Sequence, residues 1–306
     1  MADSAYPITL VRPEWVMQPE QLGSKQKFWY LPSDTGLSSD LPPWLFKFPQ
    51  TGTGQHWAEK VAAEVAHELG ITHAVVELAM FEGQLGSTTE SFARDGRELY
   101  HGNQILAGAL DQYDPDRKFR QGSHTLRNIF LALDRTFSTE EGARRTKGPL
   151  AEYLVFDALI GNTDRHHENW GLLRKTVGDK MFAFLAPSFD HASSLGRELQ
   201  DTGPKKCRER LIDQKRIGEY AERAHGGIFW TGEESKAPSP LELVRLATAD
   251  FPEFFRPALE KLGNLERSRL DNILGGVPDD CITPLARRFA VELVCYNLAE
   301  LQKLLR

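Results

Sequence analysis

The sequence GNTDRHHENW at residues 161–170, followed by APSFDHASSLG at residues 186–196, contains three polar residues in an order typical of one kind of enzyme site. Asp164 and Asn169 are five positions apart in the first stretch, and Asp190 lies in the second. Kinases use one carboxylate to orient the acceptor hydroxyl, and an amide oxygen with a second carboxylate to hold magnesium on the ATP phosphates. The order therefore predicts Asp164 as catalytic base and Asn169 and Asp190 as Mg²⁺ ligands.

Local structure alone allows a simpler interpretation of the first stretch. Asn162, Thr163 and Asp164 follow a predicted helix that ends at Gly161, so they also fit an Asx turn or a cap. Asp190 shifts the balance, because two short predicted strands separate it from this loop and would return the chain to the same edge. The three residues together favour the catalytic interpretation.

Two histidines lie within the predicted catalytic loop. His166 and His167 suggest a metal site, but adjacent histidines without an i, i+4 partner do not converge easily on one ion, so we expect no transition metal. His166 is instead predicted to support the loop by hydrogen bonding or to act as the proton acceptor, an alternative to Asp164. Arg165 is predicted to neutralise either phosphate or a structural carboxylate.

A lysine lies at the centre of an apolar strand, WLFKF at residues 44–48. Alternation places Lys47 on the face opposite Phe46, and a lysine in such a strand needs a partner. Kinases place this lysine on the α- and β-phosphates and pair it with a glutamate from a helix. Glu59, beside the apolar stripe of a predicted helix over residues 57–69, is the predicted partner, in preference to Glu64 and Glu68. A lysine that extends to solvent from an edge strand is the alternative.

Residues 22–27, LGSKQK, precede the first predicted strand of this region. The backbone amides around Gly23 and the hydroxyl of Ser24 are predicted to approach the ATP phosphates. A single glycine is also typical of an ordinary turn, and the segment is not a Walker A sequence.

The remaining patterns predict an α+β, protein-kinase-like bilobal fold. Residues 1–94 form a small β-rich N-lobe with one helix, and residues 95–306 a larger, mostly helical C-lobe. Aromatic and branched runs bounded by turn residues predict the strands, and apolar residues at helical spacing predict the helices. The predicted strands are 27–31, 44–48, 75–81, 85–89, 170–173 and 181–185, and the predicted C-lobe helices are 102–112, 123–137, 148–160, 240–262 and 283–305.

Composition excludes several classes of protein. The chain has 306 residues, 41% hydrophobic and 26% charged, which is enough for a sizeable core. A net charge of −6 and a pI near 5.9 argue against a dedicated nucleic-acid binder. The three cysteines lack metal-ligand spacing, and no apolar run is long enough for a membrane span. We therefore expect a cytoplasmic protein without direct nucleic-acid or membrane binding.

These motifs resemble the HipA-like serine/threonine kinases, whose catalytic loop reads approximately N-x-D-x-H-x-x-N, here N-T-D-R-H-H-E-N. LGSKQKFW is similar to the family's phosphate loop, WLFKF to its ATP-lysine strand, WAEKVAAEVAHELGI to its glutamate helix and SFDHASSLG to its metal-binding segment. Glu90, Ser91 and Phe92 resemble the hinge whose backbone contacts adenine. The resemblance implies ATP- and Mg²⁺-dependent phosphorylation of a protein Ser or Thr.

The resemblance also implies a partner, because members of the family often act with a small DNA-binding antitoxin. One departure is that the D-F-G of eukaryotic kinases corresponds here to Asp190, His191 and Ala192. Two alternatives remain at this point. The D-R-H-x-x-N string is equally similar to phosphoinositide kinases, which predicts a lipid or small-molecule kinase with His166 as base, and a catalytically silent nucleotide-binding module is the other.

A basic segment follows the predicted metal-binding aspartate. It contains lysines and arginines interleaved with acids, so we interpret it as a solvated helical face in preference to a substrate-facing segment. Its basic residues are Lys205, Lys206, Arg208, Arg210, Lys215 and Arg216.

Overall fold

A computed structural model describes residues 5–19, 26–32, 41–118, 120–204 and 206–306. The architecture is α+β, with a curled β-sheet and one helix in the N-terminal part and mostly helices in the C-terminal part. The predicted fold class is confirmed. The residue 94/95 lobe boundary stays a prediction.

The N-lobe sheet has six strands in the order β1-β5-β6-β4-β3-β2. β1 pairs with β5 in parallel, and the other neighbours are antiparallel. The strands are β1 Ile8–Val11, β2 Val16–Pro19, β3 Lys27–Tyr30, β4 Trp44–Lys47, β5 Val76–Phe81 and β6 Gln84–Glu90.

Four of these strands match the predicted ones to within one or two residues, whereas β1 and β2 were not predicted. Both are short, and they carry exposed apolar residues: Leu10 is 66% and Met17 58% exposed. An apolar side chain of each strand therefore faces solvent, so neither strand shows the alternation of a half-buried strand. Only their pairing in the folded sheet, β1 with β5 and β2 with β3, identifies them.

The two faces of β4 have different surroundings, as its alternation predicts. Phe46 is fully buried in an aromatic cluster, stacked on Phe28 with ring centroids 5.1 Å apart and tilted against Phe81. Lys47 is on the other face, which helix α1 (Gln55–Glu68) covers. The aromatic packing fixes β4, and thereby the position of Lys47 opposite α1.

A second sheet of three antiparallel strands lies in the C-terminal part of the chain. Two of its strands, β8 (Gly171–Val177) and β9 (Lys180–Leu185), are the predicted pair, longer than expected. The third, β7 (Arg97–His101), pairs with β8 and was not predicted. Its residues RELYH are mostly polar, so they carry no apolar signal of a strand.

Besides α1, the described residues contain nine α-helices. The predicted helix over 240–262 is in fact two, because Pro252 begins a new helix directly after Phe251. None of the described helices is long and apolar enough to cross a membrane. The helices are α2 Gly102–Ala109, α3 Leu126–Thr136, α4 Glu140–Ile160, α5 Arg208–Asp213, α6 Ile217–Glu222, α7 Pro240–Asp250, α8 Pro252–Glu260, α9 Arg267–Gly275 and α10 Pro284–Gln302.

Helix α4 lies at the centre of the main core and leads directly into the predicted catalytic loop. It packs against α3, α7, α8 and α10, and most of its second half is buried. Gly161 caps it in the left-handed conformation, with φ 65°, a backbone state that glycine adopts without strain. The loop therefore starts from a rigid, well-packed helix end.

We predict that Gly86→Ala destabilises the fold and displaces β4. A Cβ at this position would lie 2.5 Å from Phe46 Cζ and 2.6 Å from the Lys47 carbonyl oxygen. Such crowding typically costs ~1–3 kcal/mol. Gly108→Ala in α2 is the matched control, since its Cβ meets no atom within 4 Å. Chemical denaturation of both variants measures the difference, and an unchanged free energy of unfolding for Gly86→Ala would contradict this account.

Candidate active site

The predicted ATP lysine lies between two carboxylates from different parts of the chain. Lys47 Nζ donates to Glu59 Oε1 at 2.9 Å and is 3.4 Å from Asp190 Oδ1. Burial by itself would lower the pKa of Lys47, but the charges of Asp190 and Glu59 outweigh it and raise the pKa above its ordinary value. Lys47 is therefore a fixed cation, and it joins the N-lobe to the segment that carries Asp190.

Glu59 is itself held by a second contact. Ser87 Oγ on β6 donates to Glu59 Oε2 at 3.0 Å, while Lys47 occupies Oε1. Glu59 is 1% exposed, so both of its oxygens need partners. The pair is consequently rigid.

A buried ion pair organises the loop itself. Arg165 donates to both carboxylate oxygens of Asp157 on α4, Nε to Oδ2 at 2.7 Å and Nη2 to Oδ1 at 2.8 Å. Both side chains are 4% exposed. Arg165 was predicted to neutralise either phosphate or a structural carboxylate, and in the structure it pairs with a structural carboxylate, that of Asp157. A planar guanidinium group suits this bidentate contact, which anchors the loop to the preceding helix α4.

The same guanidinium brings the two predicted metal ligands into one place. Arg165 Nη1 donates to the backbone carbonyls of Asn169, at 2.5 Å, and Phe189, at 3.2 Å. The residue next to Phe189 is Asp190, whose φ of 57° is a left-handed conformation that aspartate adopts more readily than most residues. Asn169 and Asp190 thus share one anchor although 20 residues separate them in the sequence.

The side-chain oxygens of Asn169 and Asp190 are of the kinds that suit a magnesium ion. The amide nitrogen of Asn169 donates to the Asp164 carbonyl at 2.7 Å, which leaves the amide oxygen as the atom for a cation. Asp190 supplies a carboxylate, and oxygen ligands of these two kinds are what Mg²⁺ prefers. Substrate phosphates and water would complete its shell.

Asp164, the predicted base, is partly exposed on the loop, with a side chain 39% accessible. Its backbone N–H donates to Asn162 Oδ1 at 3.2 Å, so the Asx turn considered above is present. Its carboxylate accepts from Ser193 Oγ at 3.5 Å, and Ser193 in turn accepts from Arg197 Nη2 at 3.1 Å. The turn and the carboxylate's accessibility are compatible, because the turn uses the side chain of Asn162 and only the backbone N–H of Asp164.

His166, the alternative base, has its ring fixed in one tautomer. The backbone N–H of Glu168 donates to His166 Nδ1 at 3.1 Å, so the neutral ring carries its proton on Nε2. Nε2 lies 4.0 Å from Asp164 Oδ1. Burial, with a smaller effect from Lys118, lowers the pKa of His166 to about 4. Its outer nitrogen is therefore a donor, which favours a supporting role.

His167 points into the protein and lies beside a second buried histidine. Its Nδ1 is 2.7 Å from the Tyr113 hydroxyl, and its ring centroid is 5.9 Å from that of His124. His124 donates to the Gly227 carbonyl and accepts from Trp170 Nε1. No cluster of three His, Cys, Asp or Glu suited to a metal ion occurs in the described ranges.

The segment around Asp190, the predicted metal ligand, is also tightly held. Ser188 Oγ accepts from Arg165 Nη2 at 3.1 Å and therefore donates to His191 Nε2 at 2.7 Å. His191 is 1% exposed and packs edge-on against Phe156. The histidine that replaces the phenylalanine of D-F-G is thus a buried structural residue.

The predicted hinge lies at the end of β6. The N–H of Glu90 donates to Val75 O and the N–H of Ser91 to Pro43 O, whereas the N–H of Phe92 has no hydrogen-bond partner in the described ranges. The Phe92 ring lies 5.4 Å from that of Phe189, beside Asp190. The predicted hinge and the predicted metal-binding segment are therefore neighbours. Gly23 and Ser24, the predicted phosphate loop, lie outside the described residues.

Comparison with known proteins identifies the family. The model of the HipA-like C-terminal domain matches residues 22–234, more than half of the chain. The chain belongs to this family. The matched range contains Lys47, Glu59 and the loop of Asp164 through Asp190. A search of curated protein sequences gives no match.

Two solved structures are similar to this HipA-like fold. The proinflammatory kinase CtkA of Helicobacter pylori has a TM-score of 0.73 at 16% identity, over 92% of each chain. HipA of Shewanella oneidensis MR-1, in a toxin–antitoxin complex with HipB and operator DNA, has a TM-score of 0.53 at 13% identity, over 98% of this chain and 67% of that one. At these identities the similarity establishes a shared, kinase-like fold.

Several residues of the site were not predicted. Asp157 carries the clearest signal, because a single acid within LVFDALI on an apolar helix requires a buried partner. Ser87, Ser188, Ser193 and Arg197 carry no comparable signal, since short polar residues in strands and loops are common. Their contacts depend on segments that meet only in the folded chain.

We predict that Arg165→Lys destabilises the protein by about 1–3 kcal/mol, the cost of leaving a buried hydrogen-bonding group unsatisfied. Lysine cannot bond both Asp157 oxygens and the carbonyls of Asn169 and Phe189 at once. Arg145→Lys on helix α4 is the control, because Arg145 pairs with exposed Glu141 and such pairs contribute below about 1 kcal/mol. Urea denaturation compares the two, and equal losses would contradict the assigned role.

We predict that His166 makes the fold sensitive to acid. It is neutral when folded, so below its ordinary pKa of 6.5 the unfolded chain binds a proton that the folded chain does not. This destabilisation grows as the pH falls from about 6.5 to about 4. His166→Gln should therefore lose about 2 kcal/mol less stability than the wild type between roughly pH 7 and 5. Urea denaturation of the wild type and of His166→Gln at these two pH values tests this. An equal loss of unfolding free energy in both proteins would refute it.

Proposed function

We propose that this HipA-like chain is an ATP- and Mg²⁺-dependent kinase that phosphorylates a Ser or Thr of a protein. The observation that carries the proposal is the position of Lys47, between Glu59 and Asp190 at 2.9 and 3.4 Å. A lysine with one partner from the N-lobe helix and another from the metal-binding segment is the arrangement that holds phosphates in kinases. The family and the kinase-like fold support it further.

Asn169 and Asp190 would hold magnesium, and Lys47 would bind the phosphate oxygens. Magnesium, when bound, neutralises the charge of the phosphates at the transferred group. Glu59 and Ser87 keep the lysine ammonium in place, so little reorganisation is needed during transfer.

Asp164 is the proposed base. It would accept the proton of the incoming hydroxyl at a carboxylate oxygen and align that hydroxyl for transfer. His166 presents a proton on Nε2 toward the same carboxylate region and is assigned a supporting role. This assignment separates the chain from the phosphoinositide-like alternative, in which His166 acts as base.

The hinge is the proposed adenine site. Phe92 has the only N–H among residues 90–92 without a partner in the described part of the chain, which makes it the donor available to an adenine nitrogen. Phe92 and Phe189 together form an aromatic surface next to Asp190. Gly23 and Ser24 remain the proposed phosphate loop on the strength of the sequence.

We predict that Asp164→Asn and Asp190→Asn each lower phosphoryl transfer by at least about 100-fold, because general-base and metal-ligand roles have effects of this size. Asp179→Asn, an exposed acid in the β8–β9 turn, is the matched control and should retain wild-type activity. His166→Gln should lose far less than Asp164→Asn. The measurement is ATP-dependent autophosphorylation or ADP release; equal activity in all variants would end the assignment.

The substrate class needs a separate experiment. Phosphoproteomics after expression of the wild type and of Asp164→Asn should reveal phosphoserine or phosphothreonine sites that only the wild type produces. Labelling of lipids with no protein sites would instead support the phosphoinositide-like alternative.

A small DNA-binding antitoxin is the proposed partner. The similar HipA structure contains such an assembly with HipB and operator DNA, which supports looking for one here. Co-purification of the chain with the product of a neighbouring helix-turn-helix gene is the direct test.

A further inference from the structure

A cavity of about 320 Å³ lies outside the proposed ATP site, where the N-terminus of α1 meets the chain after Asp190. Three basic side chains line it, His56 from α1, Arg197 from the loop after the metal-binding segment, and Arg208 from the start of α5. The glycine-containing turn before α1 and the start of α10 complete the wall. The cavity is polar and open to solvent at the exposed residues Thr202 and Gln200.

Unpaired nitrogen atoms are concentrated in this cavity. Among the described residues, eleven buried side-chain nitrogen and oxygen atoms have no hydrogen-bond partner, and four of them belong to these three side chains. They are the Nε–H donors of Arg197 and Arg208 and both ring nitrogens of His56, one of which carries the single proton of the neutral ring. His56 is 8% exposed. Buried donors without partners are rare and costly, so their grouping indicates a missing acceptor.

Two helix ends add to the positive potential. α1 has 14 residues, and no side chain caps its N-terminus at Gly54. α10 has 19 residues and begins at the cavity after Thr283. Helix N-termini present backbone N–H groups and the positive end of the dipole, which favours anions. The uncapped end of α1 contributes donors in addition to the side chains.

One acid is present, and it is already paired. Arg208 Nη1 donates to Asp201 Oδ1 at 2.7 Å, and Nη2 donates to the Gly196 carbonyl at 3.0 Å. Arg197 Nη2 donates to Ser193 at 3.1 Å. With one carboxylate against two guanidinium groups, the cavity keeps a net positive charge that a dianion would balance.

We propose that this cavity binds a phosphate-type dianion, held by His56, Arg197 and Arg208 and by the N-terminus of α1. Three or more donors around a tetrahedral anion are the usual composition of such sites. Burial lowers the pKa of His56 to about 4, and a contact of the ring with the Cys281 backbone opposes this effect. A bound dianion would favour the charged ring.

The anion would connect the two halves of the proposed active site. Gly54 N–H, at the start of α1, donates to the Arg197 carbonyl at 2.8 Å, and α1 carries Glu59. Arg197 also reaches Asp164 through Ser193. An anion bound to both α1 and Arg197 would therefore hold the Lys47 partner and the proposed base in one arrangement.

The phosphate can come from two sources. A free phosphate ion or small phosphorylated compound can enter the open side of the cavity. Alternatively, Thr202, an exposed lining residue, can carry the group. In that case the Thr202 hydroxyl oxygen bonds to the γ-phosphorus of ATP, the bond to the β-phosphate oxygen breaks, ADP leaves, and the hydroxyl proton passes to the base. This second source rests on the proposed function; the first does not.

The first test is titration with inorganic phosphate at constant ionic strength, with saturating ADP to occupy the nucleotide site. We expect His56→Gln to weaken phosphate binding by at least about tenfold, the effect of one hydrogen bond to a charged group. His67→Gln is the matched control, the same substitution at an exposed position of α1. Equal affinities in the two variants would overturn the proposal.

A measurement on the wild type guards against misfolding of the variant. Phosphate should shift the imidazole NMR signals of His56 and leave those of His67 unchanged; the absence of any shift at His56 in protein with unmodified Thr202 would refute the site.

Mass spectrometry after incubation with ATP and magnesium identifies the source of the phosphate. Phosphate on Thr202 with loss of free-phosphate binding supports the covalent source, and unmodified Thr202 with retained binding supports the free ion.

Discussion

The site depends on the buried ion pair between Arg165 and Asp157. A buried charge is costly unless each of its hydrogen-bonding positions is filled, and the guanidinium fills its own with Asp157, Ser188 and the carbonyls of Asn169 and Phe189. These partners come from three elements of the site: the helix before the loop, the end of the loop, and the strand exit before Asp190, which contains both Ser188 and Phe189. The requirement to satisfy one cation thus determines where the polar residues of the loop stand.

The second constraint is the position of Lys47 between two carboxylates. Glu59 and Asp190 both contact it, although one lies on the N-lobe helix and the other follows the second sheet. Burial by itself would lower the pKa of Lys47, but the two negative charges around this ammonium outweigh that effect and raise the pKa. The aromatic cluster on the other face of β4 keeps the lysine there.

The cavity at His56 shares two elements with the cleft. Arg197 contributes to both regions, since it lines the cavity and reaches Asp164 through Ser193. Helix α1 also belongs to both, with Glu59 in its middle and His56 at its start. Conformational coupling between a phosphate site and a catalytic site needs such an element with contacts at both ends.

The sequence by itself determined the elements with local signals: the strand of Lys47 from its alternation, the helix of Glu59 from its periodicity, and the loop of Asp164 from its spacing. The tertiary structure alone decided which polar groups meet. Strand β7 and the partners of Arg165 depend on residues far apart in the chain. The physical reason is that periodicity reports which face of an element is buried, whereas a hydrogen bond between distant segments is specified only when packing brings donor and acceptor together.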